Sequence, residues 1–255
     1  MNLSQKTILI TGATSGIGLA LTEQLQANNQ VIAIGRSEYK LEQLHKQYPS
    51  IKCMVLDLSR HDAIANKQQA LKSFGPIDII INNAAIQNTA HFTEQLSDNS
   101  ANQTSIKLKK ISEEIQTNLT SVCQLTACLL TQLISAASHQ QPGAVVNINS
   151  GLALAPKKQS AVYCATKAAM NHFTLSLRYQ LEHHPVKVMQ AYLPLVDTAM
   201  TFGRGSNKLT CEQAANAIIK GIEDDVLDNA IGKVKWLKRL LRLTPNFAFN
   251  MMKNA

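Results

Sequence analysis

The sequence predicts an α/β fold: one doubly wound parallel sheet with helices on both faces, made by residues 1–255 as a single domain. Three observations predict it. Short runs rich in Val and Ile alternate with segments of helical period. Runs such as Ile77-Asp78-Ile79-Ile80-Ile81 are apolar almost continuously, as strands covered on both faces are. No repeat or linker breaks the alternation, so right-handed strand–helix–strand crossovers account for the chain.

The first strand is Thr7–Ile10, and the turn Thr11-Gly12-Ala13-Thr14-Ser15-Gly16-Ile17-Gly18 leads from it into a helical pattern over 16–28. A helix N-terminus reached through a glycine-rich turn offers backbone N–H groups to the pyrophosphate of a dinucleotide. Gly12 permits the tight turn, Gly16 lets the backbone approach the pyrophosphate, and Gly18 allows close packing of helix on strand, with Thr14, Ser15 and Ile17 completing the cradle. An ordinary strand-to-helix turn also uses glycines; the strand before and the helix after favour the nucleotide.

The second strand, Gln30–Ile34, ends in Gly35-Arg36-Ser37 before a helical pattern over 38–48. A site for NAD places Asp or Glu here, on the ribose 2′-hydroxyl. This chain has Arg36 instead, whose guanidinium suits a 2′-phosphate with Ser37 assisting, so NADP(H) is expected over NAD(H). The third strand, Ile51–Leu56, closes on Asp57-Leu58. Asp57 can accept from an adenine amino group or cap the helical pattern over 60–73, with Ser59 competing, and the two readings stand side by side.

The fourth strand, Ile77–Asn82, runs into Asn83-Ala84-Ala85, where amides can tie the sheet to the next element and small residues leave room for a cofactor. The polar stretch Gln87–Ser105 reads as a long, mobile surface loop beside the substrate mouth. A helical pattern over 107–137, a strand Ala144–Asn149, a helical pattern over 161–182 and a strand Val186–Leu193 follow.

Ser150 ends the fifth strand, at the carboxyl edge where ligands of open α/β sheets bind. Tyr163 and Lys167 are four residues apart and share one helix face. A phenol titrating near pH 10 is a poor acid or base at neutrality, and a neighbouring ammonium together with the positive nicotinamide of a bound cofactor brings it into working range. Asn118, within the 107–137 pattern, is either an indifferent polar residue or a local kink that holds a water relaying protons to Lys167.

These residues, in this order, resemble the short-chain dehydrogenases/reductases from Thr7 to about Thr201. The resemblance implies a Rossmann-like fold. It implies that Tyr163 exchanges the proton, Lys167 binds the nicotinamide ribose and tunes the tyrosine, Ser150 orients the substrate carbonyl, and Asn118 completes a tetrad. The family's Pro-Gly-x-Val-x-Thr after the sixth strand is replaced by Leu193-Pro194-Leu195-Val196-Asp197-Thr198. Proline has neither glycine's positive φ nor an N–H, so this loop must run differently, while Val196 and Thr198 still meet the carboxamide. The Pro-Leu-Val-Asp-Thr variant is similar to a poorly characterised branch of the family.

The net charge of +8 is concentrated at the end of the chain, in a basic segment from about residue 229, with no acidic residue after Asp228. The near-neutral remainder gives no nucleic-acid footprint. Wound as a helix, Val234 to Leu243 puts Trp236, Leu237, Leu240, Leu241 and Leu243 on one half and Lys235, Lys238, Arg239 and Arg242 on the other. The expectation is a helix packed by that apolar half on the core or on a second subunit, with no binding to lipid; the other reading is a helix on an anionic membrane surface. Asn229–Lys235 can also open with a last strand.

The five cysteines read as reduced thiols of a cytoplasmic protein, no signal peptide precedes the first strand, and no apolar run approaches a membrane span. No metal site is expected. Apolar residues such as Leu125, Leu129, Leu130 and Leu133 exceed what one sheet face needs, and with the resemblance they imply a homodimer or homotetramer. The expected function is an NADP-dependent oxidoreductase acting on a small-molecule carbonyl or alcohol. A non-catalytic NADP-sensing protein on the same fold is the alternative, and it has no need of Tyr163.

Overall fold

The structure, a computed structural model, describes residues 1–88, 92 and 101–254. Seven parallel strands make one sheet: β1 (Thr7–Thr11), β2 (Gln30–Gly35), β3 (Lys52–Val55), β4 (Ile79–Asn82), β5 (Gly143–Ser150), β6 (Val186–Leu193) and β7 (Asp228–Ala230). Their order is β3-β2-β1-β4-β5-β6-β7. The chain works outward from β1 to β3, then crosses back to β4 on the other side, which opens a crevice at the carboxyl ends of β1 and β4.

Alternate residues of β1 serve opposite faces. Ile8 and Ile10 pack with Leu21 and Leu25 of α1 (Gly16–Leu25) and with Ala214, Ile218 and Ile222 of α7 (Cys211–Glu223). Leu9 packs with Leu71 of α3 (Ala63–Lys72), Leu125, Leu129 and Leu133 of α5 (Ser121–Ala136) and Leu177 of α6 (Ala161–Gln180). The sheet is thus covered on both sides, which is why its central strands are apolar without interruption. α2 (Glu38–Gln47) covers the first face beside β2 through Leu41 and Leu44.

Four differences from the sequence reading have physical causes. The helix expected over 107–137 begins earlier, as α4 (Ala101–Ile115), then widens into a π-helical turn at Gln116–Thr120 before α5. The last residues of the supposed loop at 87–105 are therefore helical, and most of the rest lies outside the described residues. The continuous helix Thr104–Ala136 is, by length and composition, long and apolar enough to cross a membrane, against the expectation that nothing approaches that limit. Here Leu125, Leu129 and Leu133 lie buried on the sheet, and Leu130 packs partly against the same cluster. That corrects the oligomer argument too: these leucines are used inside the subunit.

The chain ends in a hairpin of α8 (Val234–Leu243) and α9 (Pro245–Lys253), after the short β7. Val234 and Leu237 are buried, and Leu240 and Leu241 partly so. Trp236 and Leu243 are not: they stand 65% and 76% exposed. Of the two partners expected for the apolar half, the core or a second subunit, the core of this subunit takes only part of it. The amphipathic pattern marked two halves, but only the edge carrying Val234 and Leu237 meets the body.

Candidate active site

The crevice is a cavity of about 330 Å³ at the carboxyl edge of the sheet. Thr11, the last residue of β1, pins its two sides together. Its hydroxyl accepts from the backbone N–H of Asn83 and of Ala84, each at 3.0 Å. Asn83 Nδ2 donates back to the Thr11 carbonyl at 2.9 Å. Deeper, Asn82 Nδ2 donates to Asn147 Oδ1 at 2.8 Å, and Asn147 Nδ2 to Thr174 Oγ1 at 2.9 Å. Buried amides at the end of β4 and within β5 thus fix β4, β5 and α6 relative to one another.

The glycine turn floors one end. Gly12 and Gly16 have φ of +66° and +54°, open to glycine at little cost. A Cβ on Gly18 would stand 2.1 Å from the Gly12 carbonyl oxygen, so only a bare backbone allows α1 this close. Gly18 serves from behind the lining, whereas Gly12, Thr14, Ser15, Gly16 and Ile17 line the cavity. Ser15 makes no side-chain cap to α1, and no acid stands in the first turn. The first N–H groups of α1 therefore face the cavity end without a side-chain acceptor, a fit for the phosphates of a dinucleotide.

Arg36 lines the same end and carries no carboxylate beside it at the close of β2. Ser37 is instead the N-cap of α2, its hydroxyl accepting from Lys40 N at 3.4 Å. Asp57, Leu58 and Ala84 also line the cavity. Asp57 Oδ1 accepts from the backbone N–H and the hydroxyl of Ser59, at 3.0 and 2.7 Å, so it orders the loop before α3 while facing the crevice.

Ser150, Tyr163 and Lys167 line the other end. Ser150 closes β5, opposite Leu193 of β6; its hydroxyl accepts from Leu152 N at 3.1 Å and acts on the Tyr163 phenol so as to lower its pKa. Lys167 Nζ donates to the Ile148 carbonyl at 2.8 Å and lies 5.8 Å from the centre of the Tyr163 ring. Burial of its ammonium pulls Lys167 down to about 8. Burial likewise pushes the Tyr163 phenol well above its ordinary value, against the lowering pull of the Ser150 hydrogen bond. Burial works against the lowering expected from the Lys167 ammonium together with a bound nicotinamide, and favours the protonated phenol.

Asn118 sits in the π turn and not on the cavity wall. Its Oδ1 accepts from Ile86 N and its Nδ2 donates to the Ile86 carbonyl, both at 2.8 Å, with Thr166 Oγ1 at 3.2 Å. The side chain is thus paired with Ile86 and Thr166, with one acceptor position of Oδ1 used. Its neighbour Thr117 lines the cavity, and the Thr117 hydroxyl is buried without a partner among the described residues.

The loop after β6 opens with Pro194 and Leu195. A 3-10 turn, Ala199–Thr201, is boxed by the Thr198 and Thr201 side chains, and Val196 bridges to Leu209. Val196 and Thr198 both line the cavity. Sequence reasoning missed Thr117 and two charged residues that act on Tyr163. Glu114, buried on α4, raises the phenol's value and Arg204 lowers it. Arg204 Nη1 donates to Gln87 Oε1 at 2.6 Å. No motif marked these residues; each is a lone polar residue in sequence, placed by the fold.

The comparisons with known proteins agree with this geometry. A family profile described as short chain dehydrogenase matches residues 6–208. An uncharacterized oxidoreductase DltE of Bacillus subtilis (strain 168) is 36% identical over 204 residues, covering 78% of this chain and 75% of its own. L-xylulose reductase of Homo sapiens is 29% identical over 199 residues, covering 78% and 75%. Among solved structures, a short chain dehydrogenase from Burkholderia cenocepacia J2315 in complex with NADP superposes with a TM-score of 0.83 over 100% of both chains, at 20% identity. By fold, glycine turn and this match over most of its length, the chain belongs to the short-chain dehydrogenase family of NAD(P)-dependent oxidoreductases.

Proposed function

We propose that the protein is an NADP(H)-dependent oxidoreductase that interconverts a carbonyl and a secondary alcohol, with Tyr163 exchanging the proton on the substrate oxygen. When bound, the nicotinamide cofactor supplies or takes up the hydride. The glycine turn and the uncapped start of α1 hold the pyrophosphate, Arg36 pairs with the 2′-phosphate, and Asp57, Leu58, Asn83 and Ala84 border the adenosine half. Val196 and Thr198 border the nicotinamide, and Lys167 reaches the ribose beside it.

The observation that carries this reading is the convergence of Ser150, Tyr163 and Lys167 on one end of the cavity whose other end is the glycine turn. Ser150 donates to or accepts from the substrate oxygen and holds the phenol toward it. A phenol kept protonated by burial is the correct form of the acid for carbonyl reduction. Lys167, at about 8, carries a proton that it can lose and regain near neutrality, which suits it to recharge the phenolate after transfer. Asn118 positions this machinery through Ile86.

Screening ketones and aldehydes with NADPH, followed by cofactor absorbance, tests the reading; no turnover of any carbonyl by a protein that binds NADPH would favour the sensing alternative. All five thiols are free, which suits the expected cytoplasmic setting. Assembly into a homodimer or homotetramer, implied by the resemblance, rests on the exposed Ile106 and Leu108 of α4 and Tyr179 of α6 rather than on the leucines of α5, and light scattering measures it.

A further inference from the structure

Fifteen large apolar side chains stand exposed among the described residues, and five of them belong to the terminal hairpin: Trp236, Leu243, Phe247, Phe249 and Met251. Trp236 and Leu243 lie two turns apart on α8, with Arg239 between them, its guanidinium 4.9 Å from the indole centre. Exposed Lys235 and Arg242 flank that stripe. On α9, Phe247 and Met251 lie one turn apart. The inner sides of both helices are already filled, by Leu237, Ala248 and the partly buried Leu240, Leu241 and Met252 around Ala155. Lys238 is committed inward, 4.3 Å over the Tyr192 ring. The outward residues therefore have no place in this subunit's core.

We propose that the outward face of the α8–α9 hairpin docks on an anionic lipid surface, its aromatic and aliphatic side chains entering the headgroup–acyl boundary and its cations pairing with lipid phosphates. Charge selects this occupant over a second copy of the chain. A two-fold contact through this face would set Lys235, Arg239 and Arg242 against their own counterparts, and residues 229–255 contain no acid to separate them. An anionic bilayer meets both halves of the surface at once. The hairpin is also fixed to the catalytic region: Lys158 N donates to the Lys253 carbonyl at 2.9 Å, and Ala155 is buried under both helices. Docking therefore brings lipid beside the segment that joins Ser150 to Tyr163. The proposal is independent of the cofactor and of the reaction.

Trp236 is the single tryptophan of the chain, so intrinsic emission reports on this face alone. The test titrates the full-length protein with vesicles of equal parts phosphatidylglycerol and phosphatidylcholine, and with phosphatidylcholine alone. The expected result is a blue shift of Trp236 and co-sedimentation with the anionic vesicles at low salt, both weakened by added salt and absent with neutral vesicles. The Lys235→Glu/Arg242→Glu variant should bind those vesicles at least tenfold more weakly, and Phe247→Ser similarly, each with unchanged NADPH binding as proof of folding. No co-sedimentation at low salt overturns the proposal, as does equal binding to neutral vesicles. A blue shift that follows protein concentration without lipid, with a doubled mass by light scattering, assigns the face to a second copy instead.

Discussion

Asn118 and Ile86 exchange two hydrogen bonds, backbone N–H to Oδ1 and Nδ2 to backbone carbonyl, each at 2.8 Å. The amide acts as a strand partner for one residue. It satisfies Ile86 where the chain leaves β4 with no neighbour to pair with, and the π turn presents it there by displacing Asn118 from the ordinary helical register. Asn118→Ala should leave both Ile86 groups unpaired and destabilise the fold by about 3 kcal/mol, read by urea denaturation. Because Asn118 acts through Ile86, the variant should also lose cofactor affinity rather than the chemical step alone.

At the other end of the cavity, Arg36→Ala should weaken NADPH binding roughly ten- to a hundredfold and leave NADH nearly unchanged, since a charge-assisted contact contributes about 1.5–3 kcal/mol. Fluorescence titration of both cofactors checks it. Equal affinity of the parent for NADH and NADPH would remove Arg36 from the site.

Two glycines separate turn chemistry from mere flexibility. A Cβ at Gly18 meets the Gly12 carbonyl at 2.1 Å and Asn83 Nδ2 at 2.5 Å, backbone and buried amide that cannot yield cheaply. Gly18→Ala should cost about 3 kcal/mol and abolish NADPH binding. At Gly75, with φ +82° and nothing within 4 Å, alanine should cost only about 1–2 kcal/mol for its backbone and leave binding intact. Thermal melts with and without NADPH distinguish the two.

Lys167 makes stability depend on pH. Its folded value is about 8 against an ordinary 10.5, so between these limits the unfolded chain binds a proton that the folded chain has released. The Lys167 contribution therefore rises with pH across that window, by at most about 1.4 kcal/mol per pH unit, against the thiols, whose values burial raises and which oppose it above 9.0, and below pH 8 the cost of the buried ammonium is fully present. Tyr163 opposes only above its ordinary value of 10.0, where the folded phenol keeps its proton and the unfolded one does not. Relative to the parent, Lys167→Met should lose the rise between pH 8 and 10, measured by denaturation at several pH values.

Six strands, the glycine turn and the Ser150, Tyr163, Lys167 set were legible because each depends on local pattern: apolar runs, turn residues, spacing on one helix. α7 was not identified in the sequence although Thr210 and Gln213 form a capping box at its start. The π turn at Gln116–Thr120 was legible only as the alternative of a local kink at Asn118, because it shifts the helical period over so few residues. Trp236 shows the same limit differently. A hydrophobic stripe says which residues share a side, and only the body it docks on decides which part of that side is covered. The burial of Tyr163, which favours its protonated form, was not legible, because spacing shows the neighbouring lysine and not what encloses the pair.

The central claim is that the Tyr163 hydroxyl carries the proton. The direct measurement compares Tyr163→Phe with the parent on any carbonyl the parent reduces, following NADPH absorbance for turnover and fluorescence titration for cofactor affinity. The account predicts turnover reduced at least a hundredfold with NADPH affinity within about twofold, because only the proton-bearing oxygen is lost. Near-normal turnover in the phenylalanine variant would contradict it.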